Sequence, residues 1–163
     1  MPHRWCNSAI LRRNQIESGL DLTFNDVFKP YFFNKIEKIS PKSILEVGSG
    51  TGHLSKELVI LCDDITAIEP SKGMYDISLD VLNGLKVNTI NCTSFELNKN
   101  SEFELAFSHL VAHVVEDLSS FLISVREHLQ VGGHFIFSIP HPCFYNDYKK
   151  MFGSEYRDRK SVV

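Results

Sequence analysis

An apolar strand that runs straight into alternating glycines constrains the fold of this chain more than any other feature. Residues Ile44 to Leu54 read Ile-Leu-Glu-Val-Gly-Ser-Gly-Thr-Gly-His-Leu. Ile44, Leu45 and Val47 describe a strand buried on both faces, and Glu46 falls at its carboxyl end, where open α/β sheets bind their ligands. Gly48, Gly50 and Gly52 strip β-carbons from one edge of the turn that follows, so the backbone can take positive φ and approach a ligand closely. The next helix offers free N–H groups and positive dipole to anything negative. A plain tight turn needs one glycine, so three at spacing two point to a nucleotide-like cofactor.

The rest of the chain supplies a matching frame. From Asn25 to Ile39 the residues Val27, Phe28, Tyr31, Phe32, Ile36 and Ile39 recur at helical spacing, and Ser40-Pro41 ends that element. Ser43 to Val47 is the first strand and His53 to Cys62 its crossover helix, with Leu54, Leu58 and Leu61 on one face. Ile65 to Glu69 reads as a second strand, Ser71 to Leu82 as a helix stopped by Asn83-Gly84, and Lys86 to Asn91 as a third strand. Phe103 to Phe107 is a fourth, Asp117 caps a helix reaching Leu129, Gly132-Gly133 ends it, and His134 to Ile139 is a fifth. Strands alternating with helices, joined by connections too long for hairpins, imply a parallel sheet wound by right-handed crossovers. The expected architecture is a Rossmann-like three-layer α/β sandwich with a mostly parallel, twisted sheet. It forms a single domain over 1–163, with an N-terminal arm at 1–23, a core at 24–139 and a tail at 140–163.

Composition narrows the partners. At 163 residues, 43% hydrophobic, the chain can bury one real core. A net charge of −3 argues against nucleic acid and against anionic membrane, and no apolar run approaches a membrane span. Cys6, Cys62, Cys92 and Cys143 are scattered, with no paired or zinc-type spacing, and read as reduced thiols of a cytoplasmic protein. His109 and His113 lie four apart and His141 two before Cys143, but no further ligand accompanies them, so no metal site is expected.

Glycine spacing separates two cofactor classes. Dinucleotide dehydrogenases use G-x-G-x-x-G, whereas position 53 here is histidine, which counts against an NAD-linked oxidoreductase. Glu46 suits a ligand carrying an ammonium group better than a pyrophosphate. Glu69, 21 positions after Gly48 at the end of the second strand, can accept both hydroxyls of a ribose. From about Phe24 to Ser138 the chain resembles class I S-adenosylmethionine-dependent methyltransferases, in particular their small-molecule branch. The resemblance implies that Glu46, Gly48, Ser49, Gly50 and Gly52 wrap the methionine and adenosine parts of S-adenosyl-L-methionine. It makes Glu69 the ribose acid, followed by Pro70 and by Met74 against adenine. Asn91-Cys92-Thr93-Ser94-Phe95 stands where the family carries an acidic adenine-reading segment, which leaves adenine to Thr93, Ser94 and Phe95. Phe103-Glu-Leu-Ala-Phe-Ser-His-Leu110 matches the family's fourth strand and puts Ser108, His109 and Leu110 at the mouth of the site.

The resemblance implies methyl transfer to a small-molecule acceptor by in-line displacement, in which the protein chiefly orients reactants. A hydroxyl or ammonium acceptor would profit from a general base, and His109, His113 and His141 all follow strand ends at the carboxyl edge of the sheet. His141, between Pro140 and Pro142, is the favoured acceptor-side residue. The tail aromatics Phe144, Tyr145 and Tyr148 suit either an acceptor pocket or a cover for the sheet. Family members usually add an antiparallel strand pair after strand five, which this sequence lacks. A second expectation follows, a truncated or non-catalytic cofactor-binding module that needs a partner or a further C-terminal segment. A homodimer or strand exchange could cover the exposed edge.

Overall fold

A computed structural model describes residues 8–100 and 102–141 of the chain. Strands β1 (Ile44–Val47), β2 (Ile65–Ile68), β3 (Val87–Ile90), β4 (Phe103–His109) and β5 (Leu129–Ser138) form one sheet in the order β3-β2-β1-β4-β5. Every pairing in it is parallel. The chain starts in the middle at β1, winds outward to β3, and returns to β1's other side with β4. This reversal opens a crevice beyond the carboxyl ends of β1 and β4, the place where doubly wound sheets bind ligands.

The helices are α1 (Ala9–Glu17), α2 (Lys29–Ile39), α3 (His53–Leu58), α4 (Lys72–Val81) and α5 (Leu118–Arg126), with a π-helical turn at Thr23–Phe28 leading into α2. Side chains alternate across each strand, so the sheet has two apolar faces. On one, Ile44, Ile65, Leu105 and Phe107 pack against Phe32 and Ile36 of α2 and Leu54 and Leu58 of α3. On the other, Leu45, Val47, Ile68 and Ala106 meet Phe121 and Val125 of α5, with Leu97 and Ala112 closing the layer. β1 and β2 are buried at every position, as a parallel strand covered on both sides must be. Each large apolar side chain so buried contributes about 1.5–3 kcal/mol of transfer free energy. No helix among the described residues is long and apolar enough to cross a membrane.

Three local expectations need correction. The helix expected over Asn25–Ile39 is instead a π-helical turn followed by α2, with Pro30 in the first turn of α2. A proline there donates no N–H to the preceding turn, which favours the wider bonding pattern and shifts the helical phase. Phe32 and Ile36 consequently face inward, while Val27 and Tyr31 turn to solvent. Asp117 does cap α5, its carboxylate accepting from the N–H groups of Ser119 and Ser120, but that helix ends at Arg126. Gly132 and Gly133 lie within β5, where Phe103 pairs with Leu129 and Leu105 with His134, so β5 bulges. Gly132 makes that bulge at φ 82°, and a β-carbon on Gly133 would sit 3.0 Å from the Gln130 carbonyl. These glycines serve a strand, not a helix stop.

Within the expected N-terminal arm lies α1, which buries Ala9 and Ile16. Arg13 links Glu17 to Asp80 of α4, and Arg12 pairs with Asp21. Cys6, Cys143 and the tail aromatics Phe144, Tyr145 and Tyr148 lie outside the described residues.

One polar group interrupts the apolar face formed by α2 and α3. Glu46 is fully buried in β1, and its carboxylate accepts from the Ser55 hydroxyl of α3. Burial pushes its pKa up to about 8, against the hydrogen bonds from Ser55, and the charge of Glu69 adds to the rise. Because the folded value exceeds the unfolded one, Glu46 stabilises the fold fully below about pH 4.5 and loses that contribution as pH rises toward 8. Glu46→Gln keeps the neutral shape and cannot ionise. Thermal unfolding followed by circular dichroism should therefore show the variant gaining on the parent protein, in Tm, from pH 5 to pH 9; a difference constant with pH would refute the buried-acid assignment.

Candidate functional site

The glycine turn begins where β1 runs out. The N–H groups of Gly48 and Ser49 both donate to the Ile68 carbonyl, at 2.8 and 3.0 Å, so the turn wraps over the end of β2. The three glycines take φ of 74°, 55° and 80°, yet they serve different purposes. A β-carbon on Gly48 would lie 2.5 Å from Val111 Cγ2, and one on Gly52 would lie 2.9 Å from Leu82 Cδ1. Those two glycines are demanded by packing. A β-carbon on Gly50 would meet nothing within 4 Å. Gly50 is thus the residue whose bare backbone faces open space, the cradle a ligand requires. The buried hydroxyl of Ser49 beside it has no hydrogen-bond partner among the described residues.

Glu69 follows β2 and joins two loops. Its Oε2 accepts the Gly50 N–H at 2.8 Å and its Oε1 the Ser71 N–H at 2.8 Å, in front of α4. Burial raises its pKa, opposed by those two amide bonds. Each carboxylate oxygen retains a lone pair for a further donor, so the residue can still take hydroxyl hydrogens. Pro70 is exposed, while Met74 is buried on α4.

Past β3 the expected adenine-side residues divide. Ser94 is committed elsewhere: its hydroxyl lies 2.7 Å from that of Ser124, and its carbonyl lies 2.8 Å from Nε2 of the buried His128. Thr93 donates from both N–H and hydroxyl to Glu96, which holds the Glu96 carboxyl below its usual range. Phe95 presents an exposed ring, 58% accessible, available for stacking. Glu96 is an acid the sequence reading passed over, because it stands later than the place where the resemblance looks for one.

At the end of β4, Ser108 is fully buried with a hydroxyl that meets no hydrogen-bond partner among the described residues. His109 lies under aromatic rings, with centroids 4.4 Å away at Phe28, 5.8 Å at Phe32 and 5.9 Å at Phe24. Burial lowers its pKa to about 4, helped by Arg12 and His113 and opposed by Asp21, so the ring is neutral across the physiological range. Its Nδ1 is 2.8 Å from the Ser138 hydroxyl on β5. Leu110 then turns the chain at φ 56°, rare for a residue with a branched side chain. His113 lies half-buried in the turn after β4, near enough to act on His109, and His141 is exposed three residues beyond Ser138. Glu46, Glu69 and the glycine turn therefore share one end of the sheet with Ser108, His109 and Leu110. Ser138, Phe24 and Phe28 carried no signal in the sequence, since only tertiary contact joins them to His109. Among the described residues, no group of three or more His, Cys, Asp or Glu is placed to hold a metal ion.

Known proteins resemble this chain in sequence and in fold. The ubiquinone biosynthesis O-methyltransferase of Rickettsia prowazekii is 26% identical over 142 residues, covering 83% of this chain and 54% of that protein. An uncharacterized methyltransferase of Bacillus licheniformis is 36% identical over 76 residues, 45% of this chain and 34% of that one. The chain thus spans about half the length of such relatives or less. Among solved structures, an S-adenosylmethionine-dependent methyltransferase of Clostridium acetobutylicum superposes with a TM-score of 0.67 at 22% identity, over 82% of this chain and 57% of that one. The plantazolicin methyltransferase BpumL, solved with a monoazolic desmethylPZN analog and SAH, gives 0.65 at 16% identity, over 89% and 60%. Residues 45–137 match the methyltransferase domain family. That match runs from the second residue of β1 to the last but one of β5 and so reaches all five strands, and by it the chain belongs to the methyltransferase domain family.

Proposed function

We propose that this chain binds S-adenosyl-L-methionine and transfers its methyl group to a small-molecule acceptor. The observation that carries the reading is Gly50: an open, positive-φ backbone position tied by its N–H to a strand-end carboxylate, Glu69. The residues present fit that cofactor. Glu69 would take the ribose hydroxyls on lone pairs its two amide bonds leave, Gly48 to Gly52 would pass along the adenosine and methionine parts, and Phe95 would stack on adenine. Glu46, neutral and bonded to Ser55, would support the turn from beneath and present little charge to an ammonium group. When bound, the cofactor supplies an already activated methyl group, so the chain's task is to orient and to exclude water. Ser108 and His109 at the end of β4 would do this on the acceptor side, and His141 would border the same edge. Free Cys62 and Cys92 agree with a cytoplasmic setting.

A second reading has its own support. Among the described residues β5 pairs with β4 alone, and its exposed Val131 and Phe137, with Leu118 and Ile123 of α5, leave apolar surface uncovered. A cofactor-binding module that needs a further segment or a partner for turnover accounts for that edge.

Calorimetric titration with S-adenosylmethionine, S-adenosylhomocysteine and NAD tests the first reading. Saturable heat is expected from both adenosyl ligands, and NAD binding with no response to either overturns it. A methyl-transfer screen on the same preparation separates turnover from bare binding. Glu69→Ala should weaken adenosyl binding by about 1.5–3 kcal/mol, the worth of a hydrogen bond to a charged group, with Glu69→Gln in between. The glycines should split: Gly48→Ala lowers Tm strongly because its β-carbon strikes Val111, whereas Gly50→Ala carries only the left-handed strain of about 1–2 kcal/mol yet lowers ligand affinity at least tenfold. Parallel melts and titrations of the two variants decide this, and equal effects on both quantities would remove Gly50 from the site.

A further inference from the structure

His109 Nε2 is a buried ring nitrogen with no hydrogen-bond partner among the described residues, at the carboxyl end of β4 and against the rings of Phe24 and Phe28. A buried polar atom left so costs about 1–3 kcal/mol and marks a place that a ligand's hydrogen can fill. The other ring nitrogen is fixed. Nδ1 lies 2.8 Å from Ser138 Oγ, and the same oxygen accepts the Leu110 N–H at 3.2 Å. The Leu110 N–H also donates to the Ser138 backbone carbonyl at 3.1 Å, the last rung of the β4–β5 ladder, and the chain then turns at positive φ, a strained conformation of the kind held at functional sites.

We infer that Ser138 is a positioning residue: its hydroxyl oxygen takes the Nδ1–H of His109, which leaves Nε2 bare to receive the hydroxyl or amine hydrogen of an acceptor. This rests on the methyl-transfer reading above. The opposite tautomer would bury an N–H with no acceptor, and buried orphan N–H groups are rarer than under-satisfied acceptors. In the step itself the acceptor oxygen or nitrogen bonds to the methyl carbon, the carbon–sulfur bond breaks with its electron pair going to sulfur, and the acceptor's proton passes to Nε2. The charged and titratable groups facing the ring are Arg12 of α1, Asp21 before the π-helical turn and His113 after β4. Of these Asp21 is the one that favours the imidazolium formed.

Two measurements on the full chain test the assignment. Nitrogen-15 imidazole spectroscopy at neutral pH, without cofactor or acceptor, should give His109 with its proton on Nδ1. The same spectrum of Ser138→Ala should show mixed tautomers, and Ser138→Thr should restore the parent pattern. A proton on Nε2 in the parent protein, or a tautomer indifferent to Ser138→Ala in a variant that melts normally, overturns the proposal whether or not turnover is found. With an acceptor in hand, Ser138→Ala should lower kcat at least tenfold with adenosyl affinity unchanged, and should lower it no further in a His109→Asn background. Equal fold-losses in both backgrounds would show that Ser138 acts independently of His109 and end the inference. Absence of turnover in the parent protein would instead count against the methyl-transfer reading, with the tautomer result standing by itself.

Discussion

Two backbone amides converge on one buried carboxylate, and the functional end of this sheet hangs on that arrangement. Glu69 holds the Gly50 N–H on one oxygen and the Ser71 N–H on the other, so the turn after β1 and the entry to α4 are fixed to the same point. The energetic return on such a group is small, because burial raises its pKa against the amide bonds that favour its charge. What the arrangement provides is geometry: an open glycine held at a set distance from an acid that keeps acceptor capacity. Glu46, one strand away, is more deeply enclosed and bonds to the Ser55 hydroxyl instead. Its pKa of about 8 makes it a largely neutral spacer beneath the turn, whereas Glu69 holds two backbone amides in the loops above.

On the proposed acceptor side a histidine stands in place of an acid. Aromatic rings from the N-terminal region and α2 strip water from His109 and keep it neutral, and Asp21 lies where it can answer a developing positive charge. On the proposed reading, α1 and the π-helical turn are therefore part of the site's surroundings. α1 is seated by buried Ala9 and Ile16, with Arg13 reaching Asp80 and Glu17 lying 3.5 Å from Nε2 of His53. His53 in turn contacts the Thr51 hydroxyl at 2.8 Å inside the glycine turn. Exposed ion pairs of this kind add little stability, so apolar burial seats the helix and the charges set its register.

The legible parts of the molecule were those written in short stretches of chain. The glycine turn, the acid after β2 and the Asp117 cap depend on residues within a few positions of one another, and a parallel sheet of five strands follows from connection lengths, whereas the strand order does not. The glycines themselves were only half legible: spacing suggested a ligand for all three, whereas Val111 and Leu82 account for two of them by contact. Gly132 and Gly133 were misread because a bulge in β5 is specified by its partner β4, which local sequence does not show. Ser94 carried the right chemistry for adenine but spends it on Ser124, thirty residues away. Ser138 meets His109 across 29 residues through strand pairing, and no periodicity announces such a contact.

The strand that carries Ser138 is also the one with a free edge. Among the described residues β5 is held by β4 alone, in a register that opposes His109 to Ser138. The orientation of the buried ring therefore depends on a single parallel ladder, and on the bulge at Gly132 that sets how far β5 has advanced when it reaches residue 138. A parallel strand with apolar residues on both faces is ordinarily an interior strand, yet Phe137 is 47% exposed and Val131 wholly so. A strand or helix laid against that edge would bury these residues and stiffen the ladder, and the first polar group to feel it on the site side would be the Ser138 hydroxyl. The uncovered edge and the base of the site are thus one mechanical unit, so the two readings of this chain, working transferase and incomplete module, differ in how firmly β5 is held rather than in which residues the site contains.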